Sequence, residues 1–157
     1  MRIYTLRQLR NEKPWGVLPL VTTNGCFDLL HVGHLRVIEY AKTIEPGGWL
    51  LVLVNSDASI QSIKGPDRPF ICEAHRSRLV AALRAVDGVL VFKGQTPCEV
   101  LRQLPVSVHV KGGDWRREDL PETKIIEANG GRVEILARED GPSTTDIAIR
   151  VMNGPAR

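Results

Sequence analysis

The sequence predicts an α/β fold, a Rossmann-like parallel sheet of about five strands with helices on both faces. Three observations predict it. Five short segments, at residues 18–23, 49–54, 88–92, 106–110 and 132–136, read as strands, the first two as apolar runs buried on two faces. Segments with helical spacing of apolar residues alternate with them, and Gly, Pro and Asn punctuate the joints. The chain has 157 residues, 43% apolar and 25% charged, which suits one domain over 1–157 with a sizeable core. Aromatics are only 5%, so that core should be aliphatic.

The elements follow in order. Residues 5–12 place Leu6 and Leu9 on one face and stop at Pro14, giving a short leading helix appended to the domain. The first strand runs into Asn24 and Gly25. A helix over 34–43 carries Leu35, Ile38 and Ala41 in one stripe, and Pro46, Gly47 and Gly48 stop it. The second strand is WLLVLV at 49–54, ending in Asn55, Ser56 and Asp57, and Lys64-Gly65 reads as part of the loop after it. A helix over 73–85 has the stripe Leu79, Ala82, Leu83 and Val86. Pro97 opens a short helix to Leu104, and helices over 123–128 and 144–152 complete the alternation. In such sheets ligands bind outside the carboxyl ends of the strands.

Several function classes are disfavoured. Lys plus Arg is 21 against 18 for Asp plus Glu, and a net charge of +3 does not argue for a nucleic-acid surface. Cys26, Cys72 and Cys98 form no C-x-x-C pair, which suggests reduced thiols. No apolar h-region opens the chain and no run approaches the ~18 apolar residues of a membrane span, so a cytoplasmic protein without membrane contact is expected. No G-x-G-x-x-G follows the first strand and no P-loop occurs, which sets aside dinucleotide oxidoreductases and P-loop kinases.

The sharpest signal is TNGCFDLLHVGH at 23–34. His31 and His34 are three residues apart, on one face of a helix that starts there. The helix N-terminus adds free N–H groups and a positive dipole end, so together they suit an anionic phosphate. Gly33 lets a ligand approach the backbone between them. Two other readings stay open at this point: one histidine caps the helix while the other packs in the core, or Cys26, His31 and His34 hold zinc. His75 and His109 receive no role.

These residues carry a resemblance. T-N-G-C-F-D-L-L-H-V-G-H resembles the signature of the cytidylyltransferase-like nucleotidyltransferases, whose H-x-G-H binds a nucleotide triphosphate and stabilises charge during nucleotidyl transfer. Lys64-Gly65, EAHR at 73–76, KGGDW at 111–115 and REDGPSTT at 138–145 are similar to the family's further motifs, in order. Within the family, NSDASIQSIKGPDRP, VKGGDW and EANGG are most similar to the branch that transfers AMP to D-glycero-β-D-manno-heptose 1-phosphate for lipopolysaccharide cores. The glycerol-3-phosphate cytidylyltransferases are less similar there. In the heptose branch this activity often sits beside a fused sugar kinase, for which 157 residues leave no room, so a stand-alone transferase is expected.

The resemblance implies roles. His31, His34, Lys64 and Arg76 would be catalytic, contacting phosphates as charge develops. Gly65 and Pro66 beside Lys64 suit a segment that closes over a triphosphate, while a solvated helix face is the other reading of Arg76. The backbone of Gly25, Cys26 and Phe27, with Gly33, would line the nucleotide. Lys111, Gly112, Asp114 and Trp115 would receive base and ribose, the indole stacking unless it plugs the end of the sheet. Arg138, Glu139, Ser143, Thr144 and Thr145 would complete the nucleotide site, the hydroxyls also capping a helix. Asp28 and Lys64 would meet the acceptor, with a turn-stabilising Asp28 as the alternative. No resident metal site is expected; Mg²⁺ would come with the triphosphate of ATP, or of CTP in the alternative reading. The acceptor is a sugar or polyol phosphate, and a homodimer is expected. A non-catalytic nucleotide-binding module is the competitor from another class.

Overall fold

The computed structural model describes residues 2–137 and 141–154. Five strands, β1 (Leu20–Gly25), β2 (Trp49–Asn55), β3 (Gly88–Phe92), β4 (Val106–Gly112) and β5 (Arg132–Leu136), form one sheet in the order β3-β2-β1-β4-β5. Every pairing is parallel, with Leu20 opposite Trp49 and Thr23 opposite Val110. The continuous apolar runs are explained by burial on both faces: Leu50, Leu51, Val52, Leu53 and Val54 are all fully buried.

The helices are α1 (Leu6–Glu12), α2 (Val32–Thr43), α3 (Asp57–Lys64), α4 (Glu73–Ala81), α5 (Cys98–Leu101), α6 (Pro121–Ala128) and α7 (Thr144–Asn153), with a 3₁₀ turn at Arg117–Asp119. Ile38 and Ala41 of α2 and Val80 of α4 pack with Val21, Val52 and Val108 on one face of the sheet. Leu9 of α1, Leu101 of α5 and Ile126 of α6 pack with Leu20, Leu51 and Leu53 on the other. Thr5 caps α1 in a reciprocal capping box with Gln8. Ahead of it, Tyr4 N–H donates to Val89 O and Val89 N–H to Arg2 O, each at 2.8 Å, so the N-terminal segment covers the β3 edge.

Several expectations shift: α4 ends at Ala81 and α5 at Leu101, short of the expected 85 and Leu104, and α2 and α6 each begin two residues earlier than expected. Leu18 is 46% exposed and β1 starts two residues later. The presumed loop after β2 contains α3, capped by Ser56, whose hydroxyl accepts from Ser59 N–H. In α4 the inward residues are Arg76, Ser77 and Val80, whereas Leu79 is half-exposed. Among the described residues no helix is long and apolar enough to cross a membrane.

Candidate active site

The carboxyl ends of the strands open onto the loop that joins β1 to α2. Two non-glycine residues in it, Phe27 and Leu29, both take φ 51°. That left-handed conformation costs an L-residue roughly 1–2 kcal/mol, so the surroundings must hold it. They do so from three sides. The Asp28 carboxylate accepts from Phe70 N–H at 3.1 and 3.0 Å and from Ile71 N–H at 3.0 Å. Arg76 donates to Cys26 O at 2.6 Å, Ile71 O at 2.7 Å and Asp57 Oδ1 at 2.7 Å. Thr144, at the start of α7, donates its hydroxyl to Asp28 O at 2.5 Å.

The clamped loop delivers two imidazoles to the N-terminus of α2. His31 is the N-cap residue by backbone position, yet its side chain makes no capping bond. Its ring stacks on His34 at 3.8 Å between centroids and 28° between planes, and Phe27 lies 5.2 Å from His34. Burial pushes His34 down to about 3, His31 and Lys64 push the same way, and Asp28 opposes them. His34 is therefore neutral at physiological pH. Its Nδ1 is buried without a hydrogen-bond partner among the described residues. A buried orphan N–H costs more than a bare lone pair, so we assign the proton to Nε2, as a donor. Gly33 permits the stack: a Cβ there would stand 3.1 Å from both Cε1 and Nδ1 of His31.

Beside the pair lies a cleft of about 280 Å³, walled by α2, the ends of β4 and β5 and the approach to α7. Gly112, Gly113, Leu136 and Ala137 line it, with Arg36 and Ser143 as polar lining residues beside the histidines. A Cβ on Gly112 would come within 2.3 Å of Val37 Cγ2, so glycine there lets α2 close on β4. A cleft lined mostly by apolar and glycine residues, next to helix N–H groups and the neutral imidazole of His34, suits a nucleoside with its phosphates.

The structure distributes the expected residues unequally. His31, Gly33, His34, Gly112 and Ser143 converge on the cleft. Lys64 is exposed at the last position of α3, not in a loop. Arg76 is neither on a solvated face nor open to a ligand: it is fully buried, and its guanidinium is committed to Cys26, Ile71 and Asp57. It ties the loop between β1 and α2 to the segments that carry Ile71 and Asp57. Asp28, 1% exposed, is a loop clamp for the same reason. Lys111 donates to Asn24 Oδ1 at 2.9 Å and Glu122 Oε1 at 3.2 Å, and lies 5.6 Å from the Trp115 ring. Trp115 is 50% exposed, so it does not plug the sheet, and Asp114 beside it is exposed. Gly25 admits the Phe27 ring at 3.2 Å from where a Cβ would be. Cys26 is half-buried and contributes its carbonyl to Arg76. Ser143 caps α7 in a capping box with Asp146, while Thr145 is exposed. Arg138 and Glu139 lie outside the described residues.

The zinc alternative falls, because among the described residues no group of three His, Cys, Asp or Glu side chains converges. Spacing did not reveal Asn24, Asp57, Arg68 or Glu122, whose partners are 11 to 87 positions away. His109, without a role by sequence, is fully buried and shares a 2.8 Å hydrogen bond with Thr22 across β1 and β4.

Residues 22–147 match the cytidylyltransferase-like family model. The chain is 46% identical over 135 residues to the bifunctional protein HldE of Geotalea uraniireducens, covering 86% of this chain and 27% of that protein. It is 47% identical to the HldE of Syntrophotalea carbinolica, covering 85% and 27%. The chain thus spans about a quarter of the length of these relatives. In fold it is similar to a lipopolysaccharide core biosynthesis protein from Thermoplasma volcanium, with a TM-score of 0.63 and 22% identity over 80% of this chain and 99% of that one. Pantothenate synthetase from Thermus thermophilus is more distant, with a TM-score of 0.53 and 16% identity over 88% and 61%. With a family-model match over residues 22–147 and 46–47% identity to these relatives over about 85% of its length, the chain belongs to the cytidylyltransferase-like nucleotidyltransferase family.

Proposed function

We propose that the chain transfers AMP from ATP to a sugar phosphate, D-glycero-β-D-manno-heptose 1-phosphate, and releases pyrophosphate. One observation carries the transferase reading: a stacked imidazole pair, with His34 neutral, at a helix N-terminus beside a nucleoside-sized cleft. The choice of heptose phosphate and ATP rests on the wording of 55–69 and 111–115, and on 42–47% identity to proteins named HldE.

A phosphate oxygen of the acceptor attacks the α-phosphorus, the bond from that phosphorus to the bridging oxygen breaks, and pyrophosphate leaves with the electron pair. The attacking oxygen is already anionic, so no general base is required. This suits a site whose histidine is held neutral. His34 Nε2–H, His31 and the first N–H groups of α2 stabilise charge as it moves toward the leaving group. Gly112, Gly113 and Ser143 hold the nucleoside so that the α-phosphate meets the acceptor in line. Imidazole is a poor match for Mg²⁺, and the Asp28 carboxylate is occupied by backbone N–H groups. In this reading Mg²⁺ therefore comes with the triphosphate and neutralises its charge.

Pyrophosphate release tests the proposal, measured with ATP and CTP in turn against a panel of sugar and polyol phosphates. Turnover that requires heptose 1-phosphate and prefers ATP is expected. A preference for CTP with glycerol 3-phosphate would overturn the assignment of the branch.

A further inference from the structure

Two arginines flank the clamped loop in contrasting states. Arg76 is fully buried with three hydrogen bonds. Arg68, on the segment joining α3 to α4, has a side chain only 16% exposed, yet among the described residues its guanidinium donates no hydrogen bond. Its nearest acid is Asp28, at 3.7 Å, beyond hydrogen-bond reach, and that carboxylate already accepts from Phe70 and Ile71 N–H. Its Cζ lies over the Phe70 ring, 4.1 Å from the centroid, and Phe70 itself is 49% exposed. None of its nitrogens is a buried orphan, so the donors open to solvent. A mostly buried fork of five donors, seated over an aromatic ring and without a hydrogen-bond acceptor among the described residues, is arranged for an anion that approaches from outside.

Position decides which anion. The sheet order runs β3-β2-β1-β4-β5, and the nucleoside cleft lies over the ends of β4 and β5. The histidines follow β1. Arg68 belongs to the crossover that follows β2, so along this edge it lies on the other side of the histidines from the nucleoside. Lys64, whose charge acts on His34, ends the helix that leads into the same crossover. A nucleotide seated in the cleft brings its phosphates to His31 and His34, and the next group along the edge is the acceptor.

We propose that Arg68 binds the phosphomonoester of the acceptor, with Phe70 as its platform and Asp28 as the counter-charge it leaves when the phosphate arrives. This deepens the transferase reading and rests on it. It also states a specificity rule, because a dianionic phosphate matches a planar guanidinium fork whereas a neutral sugar leaves the fork unpaired.

The test compares wild type with Arg68→Gln and Arg68→Lys in the pyrophosphate-release assay, varying ATP and heptose 1-phosphate separately. Loss of charge-assisted bonds predicts a KM for the acceptor raised about 10- to 100-fold in Arg68→Gln, with Arg68→Lys between it and wild type. The KM for ATP and the Tm should stay at wild-type values. An unchanged acceptor KM overturns the inference. So does a rise confined to ATP, which would put Arg68 on the nucleotide. A lowered Tm with unchanged KM values also overturns it, by making the residue structural. Should wild type release no pyrophosphate with any pair, the transferase reading fails while Arg68 is still tested by titrating inorganic phosphate and following its ³¹P line width. Saturable binding weakened in Arg68→Gln supports the anion site, and equal binding by both proteins refutes it.

Discussion

Arg76→Lys separates a positioning residue from a substrate ligand. In the structure the guanidinium joins three segments, through Cys26 O at 2.6 Å, Ile71 O at 2.7 Å and Asp57 Oδ1 at 2.7 Å. An ammonium keeps the charge but not the fork, and its shorter reach preserves at most the bond to Asp57. Two buried carbonyls then lose a charged donor. At about 1.5–2.5 kcal/mol for each such bond, the expected loss of stability is about 3–5 kcal/mol. For a chain of this size that lowers Tm by roughly 6–20 °C. The strained turn at Phe27 and Leu29 loosens with it, so kcat should fall about tenfold or more at 20 °C, where the variant is still folded. Thermal denaturation followed by circular dichroism, together with steady-state pyrophosphate release, reads both effects. An unchanged Tm with kcat/KM for ATP reduced by about 10³ would refute the reasoning, because it would place Arg76 on the substrate.

Stability should decline in mild acid. Burial pushes His109 down to about 3, with Lys111 adding to the effect, so below the ordinary value of 6.5 the unfolded chain binds a proton that the folded chain refuses. Stability is complete above pH 6.5 and falls between there and pH 3; His109 alone contributes a loss of about 2 kcal/mol by pH 5. Urea titrations at pH 7.5 and 5.0 check this, and equal midpoints would contradict it. Trp115→Ala should weaken ATP and CTP by similar factors, on the order of 1–3 kcal/mol each, because stacking does not distinguish bases. If the preference for ATP disappears in that variant, the indole itself reads the base. Excess chelator should abolish turnover, while calorimetry on the nucleotide-free protein should detect no tight Mg²⁺ binding; a tight site would contradict delivery of the metal with the triphosphate.

β2 was legible because burial on two faces leaves the continuous apolar run WLLVLV, and α2 was legible because Ile38 and Ala41 sit at helical spacing before Pro46 and Gly47. α3 was not: DASIQSIK has two isoleucines, and only Ile60 is buried, so its apolar face is one residue wide. Ser56 before Asp57 was the available sign, a cap followed by an acid in the first turn. The inner stripe of α4 was misread because a charged residue, Arg76, occupies it. The histidines were found since H-x-G-H is local. The clamp on their loop was not, since Asp28 meets Phe70 and Ile71 from 42 and 43 positions away, and Arg76 meets Cys26 from 50.

The central claim is that the stacked imidazoles stabilise nucleotidyl transfer, and single-turnover transfer of label from [α-³²P]ATP to the sugar phosphate by His31→Ala and His34→Ala measures it most directly. The account predicts a transfer rate at least ~10²-fold lower in each variant, the scale of losing one preorganised donor, with circular dichroism and Tm close to wild type. Wild-type transfer rates in both folded variants would contradict it.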